Sequence, residues 1–431
     1  MPRQVSLLQL VAVTYFVVAG GPYGLEEIIG TSGYGGAILI LLATPLLWSL
    51  PTALMVSELA SALPQDGGYY VWVRRAMGRF WGFQEAWLSL TGSIFDMALY
   101  PTLFVSYLGH FVPALTDGGK GVWIGVALIA ASALWNLLGA RTSSGSSVVL
   151  GALLLLPFAV LMGYALLDRT APHLPAQSLK PDFLGGILVA MWNYMGWDNV
   201  STIAAEVERP QRTYPRAMTA SVALVALTYT LPIAAVAWSG LDPSRWTTGG
   251  WVDAGRQLAG EGLAAALAAG GMIGAVGTLN GLTLTLSRLP AAMGEDGLLP
   301  RVFARRSART GAPWVAILAC AAAWAACLNL GFVKLVVLDV MLTGLSILLE
   351  FAALVALRLR EPDLPRPYRV PGGLGGAIAI ALFPAALMAL AVVRNHQEQM
   401  GRFNALQVAG VVIGVGIICS FVASKVKEEV S

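Results

Sequence analysis

Hydrophobic residues in this 431-residue chain gather into long blocks, separated by clusters of Pro, Gly and charge. Each block holds about 17 or more apolar residues, enough for a helix to cross a bilayer. Twelve spans are read in this way, at 6–31, 35–62, 80–111, 121–139, 145–167, 183–206, 216–240, 258–287, 312–330, 333–358, 374–393 and 404–424. The expected fold class is an all-α polytopic membrane protein.

Two spans carry polar breaks in their middles. The first is interrupted at Ala19-Gly20-Gly21-Pro22, and the sixth at Trp192-Asn193-Tyr194-Met195-Gly196-Trp197-Asp198-Asn199. Lipid offers backbone groups no hydrogen bonds, so a helix broken at mid-depth is tolerated only where the freed groups line a cavity or bind something. Each break opens a set of five spans, the pattern of an inverted-repeat transporter with its site at the bilayer midplane. The expected division is residues 1–170 as repeat one (spans 1–5), 171–360 as repeat two (spans 6–10), and 361–431 as spans 11 and 12 with a tail.

Charge sets the orientation. Placing the N-terminus in the cytoplasm collects 19 of the 27 basic residues on that side, among them Arg74, Arg75, Arg79, Arg209, Arg212, Arg216, Arg358 and Arg360, with Arg3 and Arg141. The positive-inside rule then puts both termini in the cytoplasm of a plasma or inner membrane. Composition agrees: 57% hydrophobic and 12% charged, with mean hydropathy +0.70, against about 25% charged for a soluble domain. The first segment is too long for a signal peptide and lacks a small-residue cleavage pattern. Cys320, Cys327 and Cys419 all fall inside spans and read as small core residues. His110, His173 and His396 fall at span ends or in loops. No metal site, cofactor, nucleic-acid partner or obligate protein partner is expected, and no metalloprotease, nucleophile-elbow or phosphate-loop motif suggests an enzyme.

Charges inside the spans carry the chemistry. A carboxylate at mid-depth is costly unless partnered, and marks a functional candidate. Asp96 lies near the centre of span 3 and Asp198 at the break of span 6, with no Lys or Arg near mid-depth on any span. An ammonium group is their natural partner, although Asp198 also reads as an N-cap for the second half of span 6. Gly20 and Gly21 offer unwound backbone. Tyr15, Tyr23, Tyr100, Trp192, Tyr194 and Trp197 lie at the same depth and present faces that attract cations. Glu26 and Glu27 follow the first break and are expected in an acidic outer vestibule, or facing the N-terminus of the half-helix beginning near Pro22. Glu58 is expected to pair with the loop of Arg74, Arg75 and Arg79, and Glu350 has Arg358 two turns later. Asp339 is a candidate gate or coupling residue in the outer half of span 10.

At these residues the chain resembles the amino acid–polyamine–organocation superfamily. Glu58-Leu59-Ala60 with Pro64-Gln65-Asp66-Gly67-Gly68-Tyr69-Tyr70-Val71-Trp72-Val73 is similar to that superfamily's first cytoplasmic loop. Several stretches resemble its plant and protozoan polyamine-uptake branch: Gly20-Gly21-Pro22-Tyr23-Gly24-Leu25-Glu26, Phe80-Trp81-Gly82-Phe83-Gln84, Asp96-Met97-Ala98-Leu99-Tyr100-Pro101, Trp197-Asp198-Asn199-Val200-Ser201-Thr202, Glu206-Val207-Glu208-Arg209-Pro210 and Leu349-Glu350-Phe351-Ala352. Span 8 lacks the acidic residue of polyamine carriers, and span 5 has no lysine. The resemblance implies a LeuT-type fold, alternating access and a polyamine substrate. Asp96 and Asp198 would hold ammonium groups; Tyr23, Tyr100, Trp192, Tyr194 and Trp197 would surround the methylene chain; Gly20 and Gly21 would add backbone contacts. Coupling to protons is also implied, with Glu26, Glu27, Asp339 and Glu350 as candidates. The alternatives are a carrier of amino acids, cationic ones among them, and a membrane sensor that does not transport.

Overall fold

A computed structural model describes residues 5–65, 67–138, 144–167, 182–395, 398–400 and 402–428. Arg3, Asp66, Arg141, His173 and His396, named above, lie outside them, as does the boundary expected at 170–171. The helices are α1 (Leu7–Val18), α2 (Glu26–Thr44), α3 (Leu50–Ala62), α4 (Gly68–Met77), α5 (Arg79–Leu108), the single turn α6 (Pro113–Thr116), α7 (Lys120–Leu137), α8 (Ser144–Leu167) and α9 (Phe183–Asn193). They continue with α10 (Pro210–Val236), α11 (Gly250–Ala259), α12 (Glu261–Leu286), α13 (Arg288–Glu295), α14 (Trp314–Ala326), α15 (Phe332–Arg360), α16 (Gly373–Asn395) and α17 (Ala405–Glu428). The described strand pairing is a two-residue ladder between Gln399–Met400 and Phe403–Asn404.

Among the described residues, seven helical stretches are long and apolar enough to cross a membrane, and five shorter apolar helices accompany them. Large apolar side chains such as Leu42, Leu46, Trp123, Leu138 and Leu156 are exposed on the outside, where lipid rather than water suits them. The span edges follow the hydropathy blocks closely, because charge and Gly clusters end the helices. The stretch expected at 35–62 is continuous, and its division from the stretch before it falls at Gly33. A π-helical turn, Pro45–Ser49, joins α2 directly to α3, so residues 26–62 form one apolar stretch. Within it Gly33 adopts φ 66° and ψ 174°, outside helical geometry, so residues 26–32 form a separate short segment before the long helix.

The two broken segments meet in the interior. α2 packs on α9, and α1 on α10. α15 lies along α5, and α12 covers another face of α5. α5 carries Pro101 in its interior, where neighbouring helices and side chains make up for the missing donor.

On the side bearing the basic loops, the ion pairs differ from expectation. Glu58 is fully buried and takes both ends of the Arg358 guanidinium, with Arg366 at 3.4 Å and the Val370 amide at 2.7 Å. Arg74 pairs instead with Asp296, and Arg75 binds Glu361 through two contacts at 3.0 and 2.7 Å. Residues three hundred positions apart meet here, which no local pattern reveals. Glu350 consequently has no Arg358 partner, and both of its carboxyl oxygens are buried without a hydrogen bond.

Candidate functional site

The first break runs from Ala19 to Leu25, and the helix restarts at Glu26 rather than near Pro22. Gly21 (φ 83°) and Gly24 (φ 88°) hold left-handed turns that only glycine adopts without strain. The Gly24 Cα also passes so close to Trp192 that an added Cβ would lie 2.9 Å from the indole ring. The second break follows the end of α9 at Asn193, turns through Gly196 (φ 91°), and continues as a 3₁₀ helix from Asn199 to Glu206. Asn193 ties the two breaks: its side chain donates to the Gly24 carbonyl at 3.5 Å, and its own carbonyl accepts from Tyr229.

A cavity opens between these breaks and α5, α12 and α15. Its walls include Gly20, Tyr23, Asp96, Tyr100, Trp192, Asn193, Asp198 and Asp339. Three carboxyl groups from three elements therefore face one space, and among the described residues lining it there is no Lys, Arg or His.

Asp96 accepts from Tyr100 Oη at 3.1 Å and from the Trp192 indole N–H at 3.0 Å. The i,i+4 spacing of Asp96 and Tyr100 puts both on one face of α5. Trp192 is held in place by Phe332, edge-to-face at 5.4 Å, and its ring is tilted against Tyr100 at 6.5 Å. Asp198 begins the 3₁₀ helix without capping it through its side chain, and its buried Oδ1 has no partner. Asp339, 3% exposed, accepts from Thr343 at 2.7 Å and lies within electrostatic reach of both Asp96 and Asp198. Its place in the cavity wall makes it a third acid of the site. Sequence reading left it as a gate or coupling candidate, because Asp339 and Asp96 are 243 positions apart. The Thr343 hydroxyl one turn on was a signal available at i+4.

Other candidates lie behind the wall. Tyr194 is fully buried, donates to the Leu41 carbonyl at 2.9 Å and packs on Tyr229. Trp197 is fully buried and donates to the Tyr194 carbonyl at 2.7 Å. Gly21 faces Leu154. None of the three is among the lining residues. Tyr23 does line it, with its hydroxyl anchored to the Leu267 carbonyl at 2.9 Å.

Glu26 and Glu27 do not lie in an open vestibule here. Glu26 is fully buried and accepts from the Tyr107 hydroxyl, the Gly24 amide at 2.6 Å and the Gly249 amide at 3.2 Å. Glu27 accepts from the Thr248 amide and hydroxyl at 3.0 and 2.8 Å. Trp251 adds an indole bond to the Pro22 carbonyl at 2.8 Å. The break and the short segment after it are thus fastened to Thr248 and Gly249, to the start of α11 and to α5.

Gly24→Ala should cost stability, since a left-handed non-glycine residue is strained by about 1–2 kcal/mol and Trp192 blocks the new methyl. A lowered midpoint of thermal unfolding in detergent is expected, with amine binding weakened through the displaced Trp192. An unchanged midpoint and unchanged binding would contradict the close packing of the two breaks.

Sequence comparison places the fold and site in context. The family described as amino acid permease matches residues 6–418. Polyamine transporter PUT1 of Oryza sativa subsp. japonica is 37% identical over 90% of this chain and 73% of its own length. Polyamine transporter RMV1 of Arabidopsis thaliana is 32% identical over 90% of the chain and 79% of its own. Cationic amino acid transporter 4 of Homo sapiens is 26% identical over 70% of the chain and 51% of its own. A match over nearly the whole sequence, on a bundle of apolar helices, makes this a multi-pass integral membrane protein and a member of the amino acid permease family of the amino acid–polyamine–organocation superfamily.

Proposed function

We propose that the chain is a secondary transporter of small organic amines, with polyamines such as putrescine or spermidine as substrates. The observation that carries this is the convergence of Asp96, Asp198 and Asp339 on one cavity that has no cationic side chain among its described lining. A site of this kind is short of positive charge, and an aliphatic di- or polyamine brings several at methylene spacing. Trp192 and Tyr100 present aromatic faces to such a chain. The polyamine transporters among its relatives support the same substrate class. In this reading the twelve apolar segments are twelve spans, α1 with the start of α2 forms span 1, and α9 with residues 199–206 forms span 6. Spans 1–5 and 6–10 are the inverted halves, divided near residue 170, and 361–431 add the last two spans. Both termini face the cytoplasm of the plasma or inner membrane, and the cavity opens alternately to the two sides. In this reading the membrane potential is the main driving force and protons are a secondary coupling ion, and no cofactor is needed.

The amino acid alternative requires a place for a carboxylate, which three acids disfavour. The comparison of arginine with agmatine, and of ornithine with putrescine, tests it directly. The decarboxylated partner should bind at least tenfold more tightly in each pair, by calorimetry on purified protein. Tight binding of the amino acids with rejection of the diamines would overturn the polyamine assignment and favour the amino acid carrier.

A further inference from the structure

Two carboxyl groups lie outside the cavity and have no role in holding an amine there. Glu85 in α5 and Glu350 in α15 are both 0% exposed. Ser346, one turn before Glu350, donates to Glu85 Oε1 at 2.9 Å, so the two acids lie on one α5–α15 contact, within electrostatic reach of each other. Glu85 Oε2 and both Glu350 oxygens have no hydrogen-bond partner. Neither acid lines the cavity. Asp198, at the edge of the cavity, lies within electrostatic reach of both.

The surroundings offer no counter-charge among the described residues. On α15, Arg358 is taken by Glu58 and by the carbonyls of Val370 and Gly373, and Asp339 bonds Thr343. From α4, Tyr69 stands among Glu85, Glu350 and Asp198, while Arg74 is turned to Asp296. α12 carries one acid, Glu261, which is held at its far end by Arg256. α14 brings no charge, and among the described residues Ser346, at 2.9 Å from Glu85, is the only donor to the pair. Two adjacent buried carboxylates without a cation are strongly disfavoured, and neutralisation by a proton is the available relief.

We propose that Glu85 and Glu350 form a proton-holding pair on the basic-loop side of the amine site, with at least one carboxyl neutral, and that an ammonium group arriving at Asp198 drives a proton off it. The sign follows from charge: a cation near the pair favours the carboxylate. One O–H bond breaks, the electron pair stays on the carboxylate, and the proton passes to water when that side opens. The trigger rests on the amine reading; the pair itself does not.

Infrared difference spectra of lipid-reconstituted protein separate the two. Wild type should show the C=O stretch of a buried protonated carboxyl, and E85Q or E350Q should lose it. Carbon-labelled glutamate should shift the band, which marks it as glutamyl if one variant fails to fold. Putrescine should bleach the band in wild type. A band that is missing in wild type, or unchanged in both variants, would overturn the pair. Putrescine that binds without bleaching would overturn the linkage. A variant-sensitive band with no putrescine binding would leave the pair standing and sink the amine reading instead.

Discussion

Uptake of putrescine into liposomes should rise more than a thousandfold at equilibrium when a potassium-diffusion potential of ~100 mV, negative inside, is imposed at constant pH. Each charge moved through that potential gains about 2.3 kcal/mol, so a dication gains roughly 4.6 kcal/mol. The fixed charges of the site return with every cycle, so the net charge moved is that of the amine and of any ion that moves with it. The dependence on voltage also counts charges. Accumulation that follows two charges means that the amine moves alone. Accumulation that follows one means that a proton leaves for each amine that enters, and accumulation that follows three means that a proton enters with it, as release from Glu85 and Glu350 on the basic-loop side would give. Uptake that ignores voltage and follows only a pH gradient would exclude electrophoretic entry.

Asp198→Asn should weaken putrescine binding by about ten- to hundredfold while leaving the protein folded, because a hydrogen bond to a charged partner is worth about 1.5–3 kcal/mol. The Asp198 Oδ1 has no partner within the protein, so an amide nitrogen placed at that atom breaks no internal bond there. Asp96→Asn should have a similar effect on binding but also disturb its neighbours, since Asp96 accepts from Tyr100 and Trp192. Tyr194→Phe is the control: it removes a bond to the Leu41 carbonyl behind the wall and should lower stability with little change in affinity. Unaltered affinity in both Asp variants would refute a site built on these acids. Loss in one alone would point to a substrate with a single ammonium group, and the amino acid reading would gain.

Much of this architecture was legible in the sequence because bilayer physics acts locally. A stretch such as 374–393 declares itself by apolar length, and Gly20-Gly21-Pro22 by the cost of unwound backbone in lipid. Asp96 and Asp198 were found for the same reason, as charges where charge is expensive. What the sequence did not show are pairings across helices. Arg358 lies two turns from Glu350, yet it reaches Glu58, and helical spacing cannot decide between partners on different helices. Tyr194 and Trp197 sit in the second break, but their polar atoms turn to backbone carbonyls, that of Leu41 in α2 and that of Tyr194 in the break itself. Glu85, six residues after Arg79, has no local pattern that sets it apart. Only packing against α15 shows it to be sealed.

The kink at Gly33 and the bonds of Glu26 and Glu27 together change where the chain is mechanically divided. Residues 26–32 are covalently continuous with α2 but fastened through hydrogen bonds to Gly249, Thr248 and Tyr107. The loop before α11 therefore works as a handle on the first break. A binding protein raised against residues 242–248, where Asp242, Ser244, Arg245 and Thr247 are exposed, would act as a brake: it would slow exchange of the cavity with that side while leaving the three acids, and hence the equilibrium affinity for the amine, unaltered.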